Sequence, residues 1–365
     1  MILTCLQERT PETRVAISPA AVKAYVEMGY QVICELGLGE GSGFSDADYL
    51  ENGASVLSSR KKILSQSDVL LAVNPPKDSV FLDLKPKSLV ITQTDSFNLD
   101  ALCLCCRNHH ISLFSMNHIP RISRAQGMDS LSSQANLAGY RAVIAAVEAF
   151  KQAVPMMMTA AGVVQPAKVL VLGVGIAGLQ AIATAKRLGA IVYAFDVRSA
   201  AREQAESLGA EFVDVASGDH LESATGYALE GSIEYQRLQA EKIHEYALKS
   251  DIVICTALIP GKKAPILLKA ATVQQMKPGS VIVDLATANG GNCELSEQNK
   301  TIEKQGVILI GISNMAGLIP KTASLLYANN VLKVVGLLCD PNNHQYLFDT
   351  QDEIVANALL CRGEI

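Results

Sequence analysis

The fold is decided by Val169-Leu-Val-Leu-Gly-Val-Gly-Ile-Ala-Gly178, which is followed by Ile191-Val-Tyr-Ala-Phe-Asp196. This order of residues predicts a buried strand, a glycine turn, a helix, and a second strand that ends in a carboxylate. Gly173 allows a tight turn off the strand, and Gly175 leaves the backbone open to a ligand. Gly178 allows the helix to pack close to the sheet.

This order of elements is the one that a dinucleotide requires. Its pyrophosphate would lie at the N-terminus of the helix, where free N–H groups and the helix dipole favour an anion. Asp196 follows the glycine turn at close to the usual number of residues for a carboxylate that accepts from ribose hydroxyls. Its charge would repel a 2′-phosphate. We therefore expect the cofactor to be NAD(H) rather than NADP(H). The alternative is a tight turn in some other α/β domain.

Composition sets the broad class of protein. The 365 residues suffice for two domains, and a hydrophobic content of 49% suffices for a large core. A net charge of −5 gives no indication of nucleic-acid binding or of a polybasic membrane contact. No apolar run approaches the ~18 residues that span a bilayer, and the N-terminus lacks the features of a signal peptide. We expect an intracellular chain with no direct membrane insertion.

Two successive α/β regions are predicted. In the first, Ser18-Pro19 opens a helix, with Ser as N-cap and Pro at the first helical position. The first region has strand candidates at residues 2–6, 31–35, 69–73, 89–92 and 112–116. The second has six, at residues 169–172, 191–195, 211–215, 251–257, 280–285 and 307–312. Six strands match a complete doubly wound sheet, with the ligand at its switch point.

The predicted fold class is therefore α/β, with two Rossmann-like domains, parallel sheets and a cofactor cleft between them. The first domain would comprise residues 1–132 plus 320–365, because a helix near 322–338 follows the sixth strand and is expected to cross back. The second would comprise residues 133–319, opening with a long helix at about 133–153.

One connection is longer than a crossover needs. About 35 residues separate the strands that end at Val215 and begin at Asp251, whereas a crossover takes perhaps a dozen. A long polar insertion beside a cofactor site is a candidate lid, at about residues 216–250. It ends in a predicted helix at 233–249. A plain surface excursion is the alternative.

The nine cysteines are typical of reduced core thiols in a cytosol. Cys103, Cys105, Cys106, His109 and His110 cluster in sequence and could suggest a metal site, but no second ligand pair with finger spacing occurs. We interpret the segment as an amphipathic helix on which Cys103, Cys106 and His110 share one face.

Several blocks of sequence carry a specific resemblance to a known family. The most specific is Pro120-Arg-Ile-Ser-Arg-Ala-Gln126. The others are Arg14-Val-Ala-Ile-Ser-Pro19, Met128-Asp129, Leu131-Ser-Ser-Gln-Ala-Asn136, Ala138-Gly-Tyr-Arg-Ala142, Phe195-Asp-Val-Arg198, Thr256-Ala-Leu-Ile-Pro-Gly261, Val283-Asp-Leu-Ala286 and Asn289-Gly-Gly-Asn-Cys-Glu294. Along its whole length the chain resembles the NAD(H)-binding soluble subunit (the first portion of alpha, domain I) of the proton-translocating NAD(P) transhydrogenase family. Alanine dehydrogenase belongs to the same fold family.

The resemblance implies a homodimer that binds NAD(H) and docks on an NADP(H)-binding beta subunit and a membrane-spanning subunit. Hydride would pass directly between the two nicotinamides, with Re/Si specificity, coupled to proton translocation. The chain resembles the split form of the alpha subunit, whose membrane segments are on another polypeptide. The implied location is cytoplasmic, with peripheral attachment to the inner membrane through the partner subunits.

The resemblance also implies roles for individual residues. The loop that orients the nicotinamide and its ribose would contain Arg121, Gln126, Asp129 and Ser132. The pyrophosphate and adenosine would be contacted by Ile176, Asp196, Val197 and Arg198. The lid would contain Gly226 and Tyr227, with Gln239 further along, and Leu258 would line the site after the fourth strand.

The chemistry of these residues agrees with the implied roles. Arg121 and Asp129 can form an ion pair, for which a structural salt bridge at a domain junction is the alternative. Gln126 supplies both a donor and an acceptor for a carboxamide, or for a water between two nicotinamides.

Two other functions are weighed against hydride transfer between nicotinamides. An amino-acid dehydrogenase needs an acid/base group and a cation for the substrate carboxylate. Relatives of that type carry a Lys where this chain has Asn74, a His within the stretch 88–100, where this chain has none, and an Asp where it has Ala288. Arg14 remains, and we interpret it as structural. The other alternative is a non-catalytic module that senses NAD(H).

Overall fold

The computed structural model describes residues 1–94, 99–215, 232–259 and 261–363. The chain divides into two compact units. Unit 1 comprises Met1–Gln134 and Gly317–Ile365, and unit 2 comprises Ala135–Ala316. Each unit is built around its own sheet, which has seven strands in the described residues.

In chain order, the strands of the described residues are β1 (Ile2–Cys5), β2 (Gln31–Glu35), β3 (Ser55–Leu57), β4 (Val69–Leu71), β5 (Leu89–Thr92), β6 (Ser112–Ser115), β7 (Met157–Thr159), β8 (Gly162–Val164), β9 (Lys168–Leu172), β10 (Ile191–Phe195), β11 (Glu211–Phe212), β12 (Ile252–Cys255), β13 (Val281–Asp284), β14 (Thr301–Lys304), β15 (Val307–Ile310), β16 (Cys339–Asp340), β17 (Gln345–Tyr346) and β18 (Leu359–Cys361). The helices are α1 (Pro19–Glu27), α2 (Asp46–Glu51), α3 (Arg60–Leu64), α4 (Asp78–Asp83), α5 (Leu99–Asn108), α6 (Ser130–Phe150), α7 (Ile176–Arg187), α8 (Ala200–Ser207), α9 (Ile233–Lys249), α10 (Ala270–Val273), α11 (Pro320–Leu338) and α12 (Glu353–Ala358). None of these helices combines the length and the apolar composition needed to cross a bilayer.

The sheet of unit 1 has the strand order β18-β6-β5-β4-β1-β2-β3. Every neighbouring pair is parallel except β18 and β6. The predicted start of α1 is confirmed, because the Ser18 hydroxyl accepts from the Ala21 amide at 3.2 Å and Pro19 opens the helix. Helix α11 packs its buried face, including Tyr327 and Val331, into the core of this unit.

The sheet of unit 2 has the strand order β11-β10-β9-β12-β13-β15-β14. The first six of these are the six predicted strands, in the order of a doubly wound sheet, and they are parallel. The α/β prediction with two mainly parallel sheets is confirmed. The connection reverses direction between β9 and β12, so the carboxyl ends of these two strands form the switch point at which such sheets bind ligands.

Two details of the sequence interpretation were wrong. Helix α5 ends at Asn108, and His110 is exposed with a positive φ of 55° beyond it, so His110 does not share a helix face with Cys103 and Cys106. Helix α6 begins at Ser130 rather than Ser133, because the preceding Asp129 accepts from its first turn. The strands that the sequence missed are short or lie at sheet edges: β3, β14, β18, the β7–β8 hairpin and the β16–β17 pair.

Candidate dinucleotide site

The turn after β9 is built so tightly that two of its residues must be glycine. Gly173 has a φ of +96°, and a Cβ at this position would lie 2.8 Å from the Ala257 amide nitrogen. A Cβ on Gly178 would lie 1.9 Å from the carbonyl oxygen of Gly173. The first turn of α7 therefore packs directly on the turn that precedes it, and any side chain would force them apart.

The third glycine of the turn has the opposite surroundings. No atom lies within 4 Å of the position that a Cβ on Gly175 would take. Gly175 is the N-cap of α7, and it supplies no side chain to the first amides of the helix. Ile176, the first helical residue, is 36% exposed. The start of α7 thus combines free space with the positive end of a helix dipole, which fits a pyrophosphate.

Asp196, at the end of β10, is held by four hydrogen bonds. Its Oδ2 accepts from the Val174 amide at 2.7 Å and from Arg198 Nη2 at 2.9 Å. Its Oδ1 accepts from the amide and from Nε of Arg198, both at 2.9 Å. A carboxylate offers about four acceptor positions, so the protein itself already supplies a donor for each of them. A ribose hydroxyl can donate to Asp196 only by sharing or displacing one of these donors.

Three polar residues without an assigned role in the sequence interpretation support the turn. The Thr256 hydroxyl donates to the Gly173 carbonyl at 2.7 Å, which joins the ends of β12 and β9. The fully buried Asn292 accepts from the Ala257 amide at 3.0 Å and donates to its carbonyl at 2.9 Å. Asp284 accepts from the amides of Asn292 and Cys293, both at 2.9 Å.

These supporting residues could be found only in part from sequence. Asp284 ends an apolar strand and Asn292 follows a pair of glycines, which are both signs of a structured turn. Their partners on Ala257 become neighbours only when the sheet assembles. Burial raises the pKa of Asp284, although the backbone amides that donate to it act in the opposite direction.

The remaining predicted residues of unit 2 lie on different elements. Val197 is half-buried beside Asp196, and Leu258 is 48% exposed after β12. Gln239 is half-buried on α9, one turn from each of the buried residues Tyr235 and Ile243. Gly226 and Tyr227, the predicted lid residues, lie outside the described residues.

The predicted nicotinamide loop lies in unit 1. Asp129 precedes α6, and its carboxylate accepts from the Ser132 amide at 2.9 Å and from the Ser132 hydroxyl. This pair caps the helix, so both residues have a local structural role. Gln126 is exposed in the 3-10 turn Ser123–Met128, and Arg121 is exposed just before it.

Contacts with two other helices of unit 1 hold this turn in place. Asn330 on α11 donates to the Gly127 carbonyl at 2.9 Å and accepts from the Ser133 hydroxyl at 2.8 Å. Arg124 forms two hydrogen bonds of 2.7 Å with Asp352, the N-cap of α12. The backbone that carries Gln126 is therefore fixed on both flanks, whereas its side chain is exposed.

Arg14, the one remaining candidate for a substrate-carboxylate clamp, is occupied by the protein. Its Nε and Nη2 donate to the two carboxylate oxygens of Glu12 at 2.9 and 2.7 Å, and its Nη1 donates to Gln134 at 2.9 Å. Arg14 is 7% exposed. Asn74, where a lysine would be needed, donates to Glu12 at 3.1 Å. An internal carboxylate thus pairs with the Arg14 guanidinium, as expected for a structural arginine.

Glu8 in the same network predicts a pH dependence of stability. Burial raises its pKa from 4.5 to about 7, against the opposing hydrogen bond from the Val73 amide at 2.6 Å. The folded state holds this proton more tightly than the unfolded chain. The stability from Glu8 is therefore fully present below its unfolded pKa and is lost as pH rises through about 7. We expect Glu8→Gln, which keeps an acceptor for Val73, to raise the free energy of unfolding at about pH 8 by roughly 2 kcal/mol.

Urea unfolding at about pH 4.5 and pH 8 measures this difference. The exposed Glu51→Gln is the matched control and should leave the pH profile of the wild type unchanged. Equal pH profiles for Glu8→Gln and wild type would show that Glu8 does not titrate in this range.

The fold and the turn define a class of protein, those with two α/β units and a doubly wound sheet of the dinucleotide-binding type. Residues 4–138 match the family described as "Alanine dehydrogenase/PNT, N-terminal domain", and residues 142–365 match its C-terminal domain. The first portion of the split NAD(P) transhydrogenase subunit alpha of Rhodospirillum rubrum is 46% identical over 98% of this chain and 95% of that protein. The same subunit of Rickettsia prowazekii is 40% identical over 99% of this chain and 95% of that protein. The chain therefore belongs to the alanine dehydrogenase/PNT family and, within it, to the NAD(P) transhydrogenase alpha subunits.

Solved structures agree with this assignment. The transhydrogenase from Sinorhizobium meliloti superposes with a TM-score of 0.90 at 42% identity, covering 100% of this chain and 99% of that one. An L-alanine dehydrogenase superposes with a TM-score of 0.81 at 26% identity, covering 100% of this chain and 96% of that one. The resemblance recognised from the sequence blocks is confirmed.

Proposed function

We propose that this chain is the NAD(H)-binding subunit of a proton-translocating, Re/Si-specific NAD(P) transhydrogenase. Hydride passes directly between NAD(H) held here and NADP(H) held on a partner subunit. The observation that carries the proposal is the turn after β9, where Gly175 faces open space and Asp196 follows on the adjacent strand, in a chain whose relatives are transhydrogenase alpha subunits. The bound nicotinamide supplies the hydride chemistry.

Each group of residues has a separate role in this proposal. The amides at the start of α7, near Gly175 and Ile176, bind the pyrophosphate, and Gly173 and Gly178 keep them in place. Asp196, Val197 and Arg198 receive the adenosine ribose, with Leu258 nearby in sequence after β12. Gln239 on α9 belongs to the lid predicted from the sequence, whose other predicted residues, Gly226 and Tyr227, lie outside the described residues. Arg121, Gln126, Asp129 and Ser132 orient the nicotinamide and its ribose.

An alanine-dehydrogenase-like activity is the second candidate, supported by 29% identity to the alanine dehydrogenase of Mycolicibacterium smegmatis over 90% of this chain and 85% of that protein. Oxidation of an amino acid requires a cation that is free to bind a carboxylate. Arg14 is bound on both sides of its guanidinium by Glu12 and Gln134, and Asn74 carries no charge. These contacts favour the transhydrogenase.

The proposal includes partners and a location. The relatives are named as subunits, and the alpha subunit of Haemophilus influenzae is longer, since the match spans 96% of this chain and 68% of that protein. The partners are an NADP(H)-binding beta subunit and a membrane-spanning subunit, to which the chain attaches peripherally on the cytoplasmic side of the inner membrane. A homodimer is supported by the β7–β8 hairpin of unit 2, which exposes Met156, Met158 and Val163.

Gln126→Asn should separate hydride transfer from binding. The shortened side chain moves the amide by one methylene at the reacting ring, and a misplacement of about 1 Å costs up to roughly 100-fold in rate. We expect the transfer rate to fall at least ~10-fold while the Kd for NADH changes less than ~3-fold. Stopped-flow transfer to an NADP analogue on the partner domain, together with calorimetry, measures both. The exposed Gln274→Asn is the control, and equal losses in rate and affinity would mean that Gln126 only binds.

A further inference from the structure

Three thiols meet where the last strand of unit 1 packs on α5. Cys361 on β18 interacts with Cys106 and with Cys103, which lie one turn apart on the helix and pack in the same cluster of side chains. The Cys361 thiol also donates to the Ile111 carbonyl at 3.7 Å. All three cysteines belong to one apolar cluster of side chains. We call Cys103, Cys106 and Cys361 the thiol cluster.

The surroundings of the thiol cluster favour sulfur–sulfur chemistry over metal binding. Across the described ranges, no three His, Cys, Asp or Glu side chains are placed to hold a metal ion. His110 is exposed beyond the end of α5. The fourth cysteine of this region, Cys105, contacts Asp78 instead.

We propose that Cys361 and Cys106 form a thiol–disulfide exchange site whose substrate is a small-molecule disulfide such as oxidised glutathione. The Cys361 thiolate attacks one sulfur of the small disulfide, whose S–S bond breaks, and one small thiolate leaves. The Cys106 sulfur then attacks the Cys361 sulfur of this mixed disulfide as its proton passes to the second small thiolate, which leaves when the mixed S–S bond breaks. Two protein thiols are oxidised, the small disulfide is reduced to two thiols, and the two protein protons pass to the departing thiolates.

Cys361 is the attacking thiol because its ionised form is stabilised. The hydrogen bond from Cys106 lowers the pKa of Cys361, against the opposing effect of burial. The same contact raises the pKa of Cys106, so the shared proton stays with Cys106 while Cys361 ionises.

Position in the sheet gives Cys361 access to a reagent. Cys106 is fully buried and Cys361 is 5% exposed, so both thiols are covered in the closed fold. However, β18 has three residues and lies at the edge of the sheet, and its register with β6 is interrupted between Leu359 and Cys361. Arg362, the next residue, is exposed. Short edge strands open locally at low free-energy cost, without global unfolding.

Closure of the disulfide would fix the end of unit 1. Strand β18 follows α12 directly, and Asp352 at the start of α12 holds Arg124 of the 3-10 turn Ser123–Met128. A covalent link from Cys361 to α5 therefore restrains the segment that supports this turn. We expect amide hydrogen exchange in β18 to slow at least ~10-fold on oxidation.

The test uses the full-length chain under native conditions. The protein is incubated with oxidised glutathione, free thiols are alkylated, and peptides are mapped by mass spectrometry. We expect a Cys106–Cys361 cross-linked peptide pair, an intact protein lighter by two hydrogens, and full reversal by dithiothreitol. Cys361→Ser and Cys106→Ser should each lose the cross-link, whereas Cys105→Ser, the matched control on the same helix, should keep it.

The peptide map of the wild type tests for the Cys106–Cys361 cross-link even if a variant fails to fold. The proposal is overturned if the native wild type remains reduced, or stops at a mixed glutathione disulfide, at concentrations that cross-link a reference dithiol peptide. A cross-link of Cys361 to Cys103 rather than to Cys106 would equally contradict the assigned pair. Neither result depends on the proposed transhydrogenase function.

Discussion

Gly178→Ala is expected to cost about 3 kcal/mol or more of the free energy of unfolding of unit 2, at the upper end of the range for overpacking. The added Cβ would lie 1.9 Å from the Gly173 carbonyl oxygen and 2.9 Å from its carbonyl carbon. Both atoms are backbone, so no flexible side chain can move aside. Either α7 shifts away from β9 or the turn opens, and in both cases the amides that face the pyrophosphate move.

Gly175→Ala in the same turn is the matched control for stability. Its Cβ would meet no atom within 4 Å, and the Gly175 φ of −78° suits any residue. We expect a change in stability below about 1 kcal/mol. The new methyl occupies the space that the pyrophosphate needs, so the Kd for NADH should rise at least ~10-fold, or about 1.4 kcal/mol.

Urea unfolding and NADH calorimetry of both variants measure the contrast. Gly178→Ala should lower the free energy of unfolding. Gly175→Ala should weaken NADH binding with little change in the free energy of unfolding. If Gly175→Ala bound NADH as well as the wild type, the pyrophosphate would not approach the backbone at this turn.

Asp196→Asn is expected to weaken NADH binding by about 1.5–3 kcal/mol, the typical contribution of hydrogen bonds to a charged acceptor. Asparagine keeps one oxygen for the Val174 amide, but it replaces the other with a donor that faces the Arg198 guanidinium. The loss therefore has two sources: the ribose hydroxyls lose a charged acceptor, and the turn loses some of its support. The preference for NADH over NADPH should also decrease, because the charge that repels a 2′-phosphate is removed.

Arg198→Ala separates these two sources. It removes two of the four donors to Asp196, Nε and Nη2, and leaves the Val174 and Arg198 amides in place. The carboxylate then has acceptor positions free for ribose, so we expect a smaller loss of NADH affinity than in Asp196→Asn. Calorimetry with NADH and NADPH measures all four affinities. Wild-type NADH affinity in Asp196→Asn would refute a role for this carboxylate in binding.

The sequence was most informative where one local pattern determines both structure and chemistry. Five of the six parallel strands of unit 2 are apolar runs, so their composition locates them. Gly178 was predictable because the atom that excludes a side chain there, the Gly173 carbonyl oxygen, is close in the chain. At Gly173 the positive φ is local, whereas the contact with Ala257 depends on the assembled sheet. The open space at Gly175 confirms that this glycine is not required by packing.

Short edge strands were missed because a run of three or four residues is too short to show a periodic pattern. Strand β14 is Thr301-Ile-Glu-Lys304, which pairs on one side only, with β15. Strand β18 is formed by three residues that directly follow α12 in sequence. Edge strands need fewer buried side chains, so periodicity indicates them poorly.

The partners of the predicted site residues were not accessible from sequence either. Asp196 was identified by its offset from the glycine turn, but its contact with Val174 depends on how β10 lies against β9. Asp129 can pair with Arg121 by its charge, and that pairing stays a prediction; the hydrogen bonds that Asp129 accepts from the Ser132 amide and hydroxyl, which cap α6, were not expected from sequence. Arg14 was interpreted as structural from the sequence, but its partner could not be identified there: both carboxylate oxygens of Glu12 accept from its guanidinium.

The fate of a labelled hydride tests the central claim most directly. NADH carrying deuterium at the transferable position of C4 is mixed with this chain, the NADP(H)-binding domain of its partner, NADP⁺, pyruvate and ammonium, and the products are weighed by mass spectrometry. We predict that deuterium appears in NADPH, only when the partner domain is present, and that none appears in alanine. Deuterium in alanine would contradict the account in favour of an amino-acid dehydrogenase, and NADH that keeps its label in the complete mixture would contradict it in favour of a binding module.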